Sequence, residues 1–503
     1  MSFLSLPLET IDVILDLSLP SGIQGISLAC KAIHERARSQ IERHNALKRQ
    51  WGSANNYRTG RLDDTLGILN AIALNPLVAE YIENLDLWDE RPLAVEEAEL
   101  LDFRGDIHTM QRVKDFVTSL PFLTEADIDT EAWWNRMMQE EGTRTDEDNT
   151  EVSCTTITLL GVLPNLKSIR LDPGWKNFNP GAEQYSLPLA GLTSIVERSS
   201  HTGASRQRPL SQVDTIMPFM YTGYEERAPL QSIQPFLELG TVSEVYLVSA
   251  VAADDGYTGY PFEWSAPTLA PQLTRLEFAS CCIDAEGISE LLRHTPALKT
   301  FKYSHETKWH GCEHDWNAGT FVEAIARHCG NTITNLAITI DEIYGEIING
   351  VSSLHSFPNL EFLEVDVSIF RGPPVESGQT QGTYAMVPES EEPWDEDDIP
   401  CIGSMMPGNV VEVHINTDFP LPDEKALNGL LKNLRSQRQE RLFKLERCII
   451  RQYTAESALI CAEGAGATLE TFDLAVENPR PRNMMPSWKR EFDERVSGLR
   501  SRM

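Results

Sequence analysis

Apolar positions recur at helical spacing through the first 51 residues of this chain, whereas beyond residue 80 they alternate with period two in short runs separated by helical stretches. Pro7 suits the first turn of a helix, and Leu8, Ile11, Ile14, Leu15 and Leu19 then follow one face while Glu9, Asp12 and Asp16 take the other. Pro20 interrupts that helix. Ser21 with Gln24 reads as a capping box for a second helix through Ile23, Ile26, Ala29, Cys30 and Ile33, weakened by Gly22 and Gly25. Ala37, Ile41, His44, Leu47 and Trp51 mark a third.

The downstream runs share an L-x-x-L-x-L text: Ile82-x-x-Leu85-x-Leu87, Leu166-x-x-Ile169-x-Leu171, Val242-x-x-Val245-x-Leu247, Leu273-x-x-Leu276-x-Phe278 and Leu298-x-x-Phe301-x-Tyr303. Ile333-x-x-Leu336-x-Ile338, Leu360-x-x-Leu363-x-Val365, Val410-x-x-Val413-x-Ile415, a weaker Leu442-x-x-Leu445, and Leu469-x-x-Phe472-x-Leu474 continue it. From residue 245 onward the central positions lie 25 to 35 residues apart, except for one interval of 50. Between them helical spacing returns, as in Ile288, Leu291 and Leu292, in Phe321 and Ile325, and in Leu427, Leu430, Leu431 and Leu434. Pro164, Pro271, Pro296, Pro358 and Pro407 stand where they can end the preceding helix. One strand plus one helix per repeat is the expected unit.

Side chains alternate along a strand, so the residues between the motif positions face away from the core. One such row reads Arg170, Tyr246, Glu277, Lys302, Ala337, Glu364, His414 and Asp473; its neighbour reads Ser168, Glu244, Arg275, Thr300, Asn335, Phe362, Glu412 and Thr471. Mixed charges with aromatic anchors suit a protein target. Arg170, Glu244, Tyr246, Arg275, Glu277, Thr300, Lys302, Phe362, Glu364, Glu412 and His414 are therefore the expected target-binding face.

Three short helices in about 50 residues make a marginal core that an external partner can complete. Leu6-Pro7-Leu8-Glu9-Thr10-Ile11, the spaced apolar run after it, and Ser27-Leu28-Ala29-Cys30-Lys31-Ala32-Ile33 resemble the F-box, with Ile33 where an aromatic residue is commoner. The resemblance implies that Leu6, Pro7, Leu8, Ile11, Ile14, Leu28, Cys30 and Ile33 bind a Skp-type adaptor and, through it, a cullin. Leu273 to Ile283, with Cys281 and Cys282, followed by Gly287-Ile288, Leu291-Leu292 and Pro296-x-Leu298, is similar to the cysteine-containing class of leucine-rich repeat.

Charge sharpens the partner classes. The 503 residues carry 75 acidic and 43 basic side chains, a net charge of −32, which disfavours nucleic acid and anionic membranes as partners. Residues 1 to 61 are the exception, with eight Lys/Arg against five Asp/Glu. Nine scattered cysteines suggest reduced thiols, no cationic segment opens a secretory signal, and no apolar run is long enough to span a membrane. Cytoplasmic and/or nuclear localisation is expected. The interval of 50 is explained by residues 371–400, where Gly372-Pro373-Pro374 leads to a run of Glu and Asp that reads as a disordered acidic insertion.

Candidate chemistry is sparse. His305, His310, Cys312 and His314, with Cys281, Cys282 and Cys329 in nearby repeats, are the most metal-like set, but neither C-x-x-C pairs nor H-E-x-x-H occurs. Phosphate-loop, nucleophile-elbow and dinucleotide fingerprints are missing from the sequence. No metal, no cofactor and no intrinsic active site are expected.

The fold class expected is thus α/β: a short N-terminal helical F-box over 1–50, connecting helices and a divergent first repeat over 51–150, a leucine-rich-repeat solenoid with a curved parallel sheet over 151–480, and a basic tail over 481–503. By resemblance, this is the substrate-recognition subunit of an SCF-type ubiquitin ligase. A nonenzymatic repeat scaffold in another assembly is the alternative, with a metal-dependent enzyme a distant third.

Overall fold

A computed structural model of the protein describes residues 6–55, 65–87, 105–143, 154–180, 182–200, 208–256, 259–264, 269–308, 312, 314–383, 386–387, 389–417, 424–452, 456–471 and 485–501. The chain is mixed α/β and separates into two compact units, Met1–Trp175 with Pro180–Thr215 and Leu499–Met503, and Lys176–Asn179 with Ile216–Gly498.

The first unit opens on α1 (Leu8–Leu17), α2 (Ile23–Ser27), α3 (Lys31–Arg36) and α4 (Arg38–Trp51). Ile11, Leu15, Leu19, Ile23, Ile33 and Ala37 form its first buried cluster, with Leu6, Ile26, Cys30, Ile41 and Leu77 against it. The expected second helix is two helices. Gly22, not Ser21, precedes α2 and gives no side-chain cap, and the chain leaves helical geometry at Cys30, which is fully extended. An Arg36–Asp12 ion pair (2.6 Å) ties α3 back to α1, and the Arg36 guanidinium also donates to Leu8 O (3.2 Å).

β1 (Ser53–Asn55), β2 (Asn84–Asp86) and β3 (Ser168–Arg170) then pair in parallel in that order. Leu85 and Ile169, two of the motif centres, are opposite one another and fully buried. Trp133, on the Thr130–Thr143 helix, is fully buried and donates its indole N–H to Thr158 Oγ1 (2.9 Å).

The second unit carries β4 (Thr215–Met217, entered at its boundary), β5 (Ala228–Pro229), β6 (Glu244–Val248), β7 (Ala250–Ala252), β8 (Arg275–Ile283), β9 (Thr300–Glu306), β10 (Asn335–Glu342), β11 (Phe362–Asp366), β12 (Glu412–Asn416), β13 (Arg447–Gln452) and β14 (Thr468–Thr471). From β6 the ladder runs β6-β8-β9-β10-β11-β12-β13-β14, every pair parallel. β7 adds to the far end of β8, and β5 to β7. Parallel neighbours need long crossovers, and the Ala285–Leu292 and Ala318–Cys329 helices supply two of them. Asp284 accepts from Gly287 N (2.6 Å) and Asn317 from Thr320 N (3.0 Å), so each helix starts on a side-chain cap. Phe321 packs on Phe301 and Tyr303, with ring centroids 6.3 and 4.6 Å away, placing the motif residues between sheet and helices.

The last two strands depart from the expected register. In the repeat around β13, Val413 pairs with Cys448 and Ile415 with Ile450, so the motif reads Leu445-x-x-Cys448-x-Ile450, three positions later than expected. Leu445 occupies the preceding turn, its N–H donating to Leu442 O, as Leu273 and Leu298 do to Ala270 and Thr295 in theirs. In β14, Leu469 pairs with Ile450 and Thr471 with Gln452, outside the expected row; Phe472 and Asp473 lie outside the described residues.

Residues 371–400, expected to be disordered, are described except at 384, 385 and 388. Asn349 donates to Pro373 O (3.1 Å) and Gln379 O (2.7 Å), Asp315 accepts from Thr383 N (3.0 Å), and Lys425 holds Asp395 (2.8 Å). Side chains of neighbouring segments thus satisfy a loop whose composition alone suggests none of these contacts.

Lys308, with no exposed side-chain surface, donates to Glu306 Oε1 (3.0 Å), Ser249 Oγ (3.0 Å) and Gly223 O (2.8 Å). Removing one partner of a buried pair strands the other charge. Lys308→Met is expected to cost about 3–5 kcal/mol in urea unfolding at neutral pH; a cost below about 1 kcal/mol would contradict this arrangement. Burial raises the Glu306 carboxyl above its ordinary 4.5, outweighing the nearby Lys308 charge. A raised acid favours the fold fully below its unfolded value and loses that contribution as pH rises through its folded value. The stability of wild type relative to Glu306→Gln should therefore fall as pH climbs from 4.5, which paired unfolding curves can measure.

Candidate docking surfaces

The expected adaptor-binding residues divide by burial. Ile11 and Ile33 are buried in the helical cluster, and Leu6 and Cys30 pack partly against it. Ile14 is half-buried, whereas Pro7 is exposed, as are Leu8 (56%) and Leu28 (72%). Two further apolar residues went unnoticed in the sequence. Val13 and Leu17, one turn apart, are exposed on the side of α1 turned away from Ile11 and Leu15. Their signal was available, because two apolar residues among Glu9, Asp12 and Asp16 contradict a purely solvated face.

Most of the expected target-binding residues share two rows in the second unit. Tyr246, Glu277, Lys302, Ala337, Glu364 and His414 lie opposite one another across β6 to β12, and Glu244, Arg275, Thr300, Asn335, Phe362 and Glu412 form the adjacent row. Arg170 belongs to the first unit, where it is buried beside Asp86 at 3.6 Å. The first row is not an open surface, and in the second Glu244, Arg275, Asn335, Phe362 and Glu412 are half-buried. Tyr246, Glu277 and Glu364 have no exposed area, and Thr300, Lys302 and His414 are also buried.

The cover is the Ser487–Ser501 helix. Glu364 receives its first turn: Ser487 N and Oγ donate to the carboxylate at 2.7 and 2.6 Å, and Trp488 N at 3.0 Å. The Trp488 indole N–H donates to Thr339 Oγ1 (3.1 Å), Lys489 reaches Asp341 Oδ2 (2.5 Å) and Ser280 Oγ (3.2 Å), and Lys302 pairs with Glu491 (2.8 Å). Phe492 meets Tyr246 edge to face, with centroids 5.9 Å apart. Ser487 Oγ lies 2.9 Å from His414 Nδ1.

Electrostatics follow from this packing. Burial raises the Tyr246 phenol beyond its ordinary range, and its hydrogen bond to Glu244 (2.6 Å) adds to that. Burial opposes the charge of Arg495, but Tyr246, Glu277 and Glu244 outweigh it, so its pKa lies above the ordinary value. Within the face Arg275 bridges Glu277 (2.7 Å) and Glu244 (3.6 Å), and Arg451 approaches Glu364 at 3.8 Å. Residues 481–503, expected as a basic tail, thus include the helix that most changes this face; Trp488, Phe492 and Val496 at every fourth position were its sequence signal.

Cys281, Cys282, Cys312, Cys329 and His305 are spread through the second unit's core, whereas His314 is exposed. Cys282 Sγ lies 3.7 Å from Cys312 Sγ, Cys329 hydrogen-bonds around Thr295, and burial pushes the Cys281 thiol up to about 12. His305 stacks on Trp316 at 4.4 Å and its Nδ1 lies 2.9 Å from Tyr303 Oη; His314 is beside Asp315, and His310 lies outside the described residues. Among the described residues no group of three or more His, Cys, Asp or Glu is placed to hold a metal ion, and no helix is long and apolar enough to cross a membrane.

The division between buried and exposed positions has a measurable consequence. Ile11→Ala and Ile33→Ala are expected to destabilise the first unit by about 2–4 kcal/mol, because each leaves a cavity. Leu8→Ser and Leu28→Ser should stay within about 0.5 kcal/mol of wild type in the same denaturant titration. Equal losses at all four would show that Leu8 and Leu28 are core residues. No protein-family model matches the chain, and no curated protein matches it.

Proposed function

We propose that this chain is the substrate-recognition subunit of an SCF-type ubiquitin ligase, its N-terminal helices docking a Skp-type adaptor and its strand face receiving a target protein. The observation that carries the reading is the exposure of Leu8, Val13, Leu17 and Leu28 on a small helical module whose Ile11, Leu15, Leu19, Ile23 and Ile33 already fill its interior. Apolar side chains left outside such a core are what a partner helix or groove would cover. The resemblance of residues 6–33 to the F-box supports an adaptor of the Skp class as that partner.

In this reading the chain transfers nothing itself. It raises the effective concentration of target lysines at an enzyme carried by the assembly. Buried ion pairs and capped helices in the second unit suit a rigid platform for that purpose, because a target held loosely would lose the gain in orientation.

Co-expression of the full chain with a Skp-type adaptor and a cullin should recover all three together. Leu8→Asp with Leu28→Asp should reduce adaptor recovery by about tenfold or more while leaving the thermal melt unchanged, since both positions are solvent-exposed. Recovery indifferent to that pair, or recovery of the chain without any adaptor, would remove the ligase reading and favour a scaffold in some other assembly.

A further inference from the structure

We propose that the strand face of the second unit is a receptor for an amphipathic helix, and that the Ser487–Ser501 helix is its resident, displaceable occupant. The external partner is then a helix of another protein carrying an aromatic pair four residues apart, a lysine just after the first aromatic, a glutamate three residues after it and an arginine seven after it. That pattern is the one Trp488, Lys489, Glu491, Phe492 and Arg495 present to the face. The inference rests on the reading that this face takes a target, and adds what kind of target it takes.

Helix geometry supports a single binding face. At 3.6 residues per turn, these five residues and Val496 fall within an arc of about 160°, and Arg490, Asp493 and Glu494 fall outside it. Each contact has a matched receptor group. Glu364 accepts from the helix's first amides, Asp341 and Ser280 take the lysine, Lys302 takes the glutamate, and Tyr246 meets the second aromatic ring.

The contacts that hold the helix on the face are largely polar. The motif residues Leu276, Phe278, Phe301, Tyr303, Leu336 and Ile338 are fully or almost fully buried and alternate with the face residues, so they point to the side of the sheet opposite the helix. On the face itself the receptor groups are mainly charged or hydroxylic, and water can satisfy Glu364, Asp341 and Lys302 when the helix leaves. Trp488 and Phe492 provide the apolar anchoring. Linkage to the same chain gives the resident helix a high effective concentration, so an external helix of like chemistry must outcompete it.

The test uses the full chain carrying Trp488→Asp and Phe492→Asp, which removes both apolar anchors of the resident helix and changes no residue of the strand face. A fluorescein-labelled peptide of residues 485–498 should bind this variant saturably by anisotropy, bind the wild-type chain at least about tenfold more weakly, and lose about tenfold or more in affinity when Glu364→Gln is added. Absence of saturable binding to a folded variant, or equal binding to wild type, overturns the proposal. Hydrogen exchange on the unaltered wild-type chain provides an independent reading. Amides of residues 491–498 exchanging through a local opening, ahead of β9 to β11, support displacement; exchange of helix and strands at one common rate overturns it, whether or not the variant folds. Adaptor recovery depends on the N-terminal helices, so failure there and failure here are separately visible.

Discussion

Parallel strands hydrogen-bond evenly only when they are in step, and a slip of one residue turns an entire apolar row to the wrong side. In the second unit this constraint aligns Val245, Leu276, Phe301, Leu336, Leu363, Val413 and Cys448 into one buried row, and everything on the opposite face follows from it. Tyr246, Glu277, Lys302, Glu364 and His414 are brought together because the same register that buries their neighbours gives them nowhere else to point. The crossover helices then cover the apolar side, capped at Asp284 and Asn317.

A charged row on a sheet is ordinary when water covers it; here a helix does. Burying such groups is tolerable only where each finds a partner of complementary charge or hydrogen-bonding capacity. Glu277 has Arg275, Lys302 has Glu491, Asp341 has Lys489, and Glu364 caps the helix that covers it. The face is therefore specific in a way that an apolar seam is not, because a wrong partner would leave buried charges unmatched.

The first unit meets a different limit. Four short helices enclose only a small cluster, and Leu77, from outside the expected 1–50 module, packs against it. Tyr81 Oη also lies 2.9 Å from His44 Nδ1 on α4. The module is thus backed by the chain that follows it, while Leu8, Val13, Leu17 and Leu28 remain outward.

Much of the ladder was legible from spacing: every motif centre from Leu85 to Val413 lies in a parallel strand, and both outward rows from β6 to β12 are in the expected register. The slip at Leu445 was not, because a leucine there satisfies the apolar pattern equally well whether it sits in the strand or in the turn before it. The contacts made by the described residues of 371–400 were also hidden, since Asn349, Asp315 and Lys425 act on Gln379, Thr383 and Asp395 from distant positions. By itself the sequence determined which side of each strand is apolar, because alternation is a local property of neighbouring residues. Only the tertiary structure decided what lies on the other side: Trp488 meets Thr339 and Lys489 meets Asp341 through contacts spanning 149 and 148 positions, and no local pattern encodes where a distant helix comes to rest.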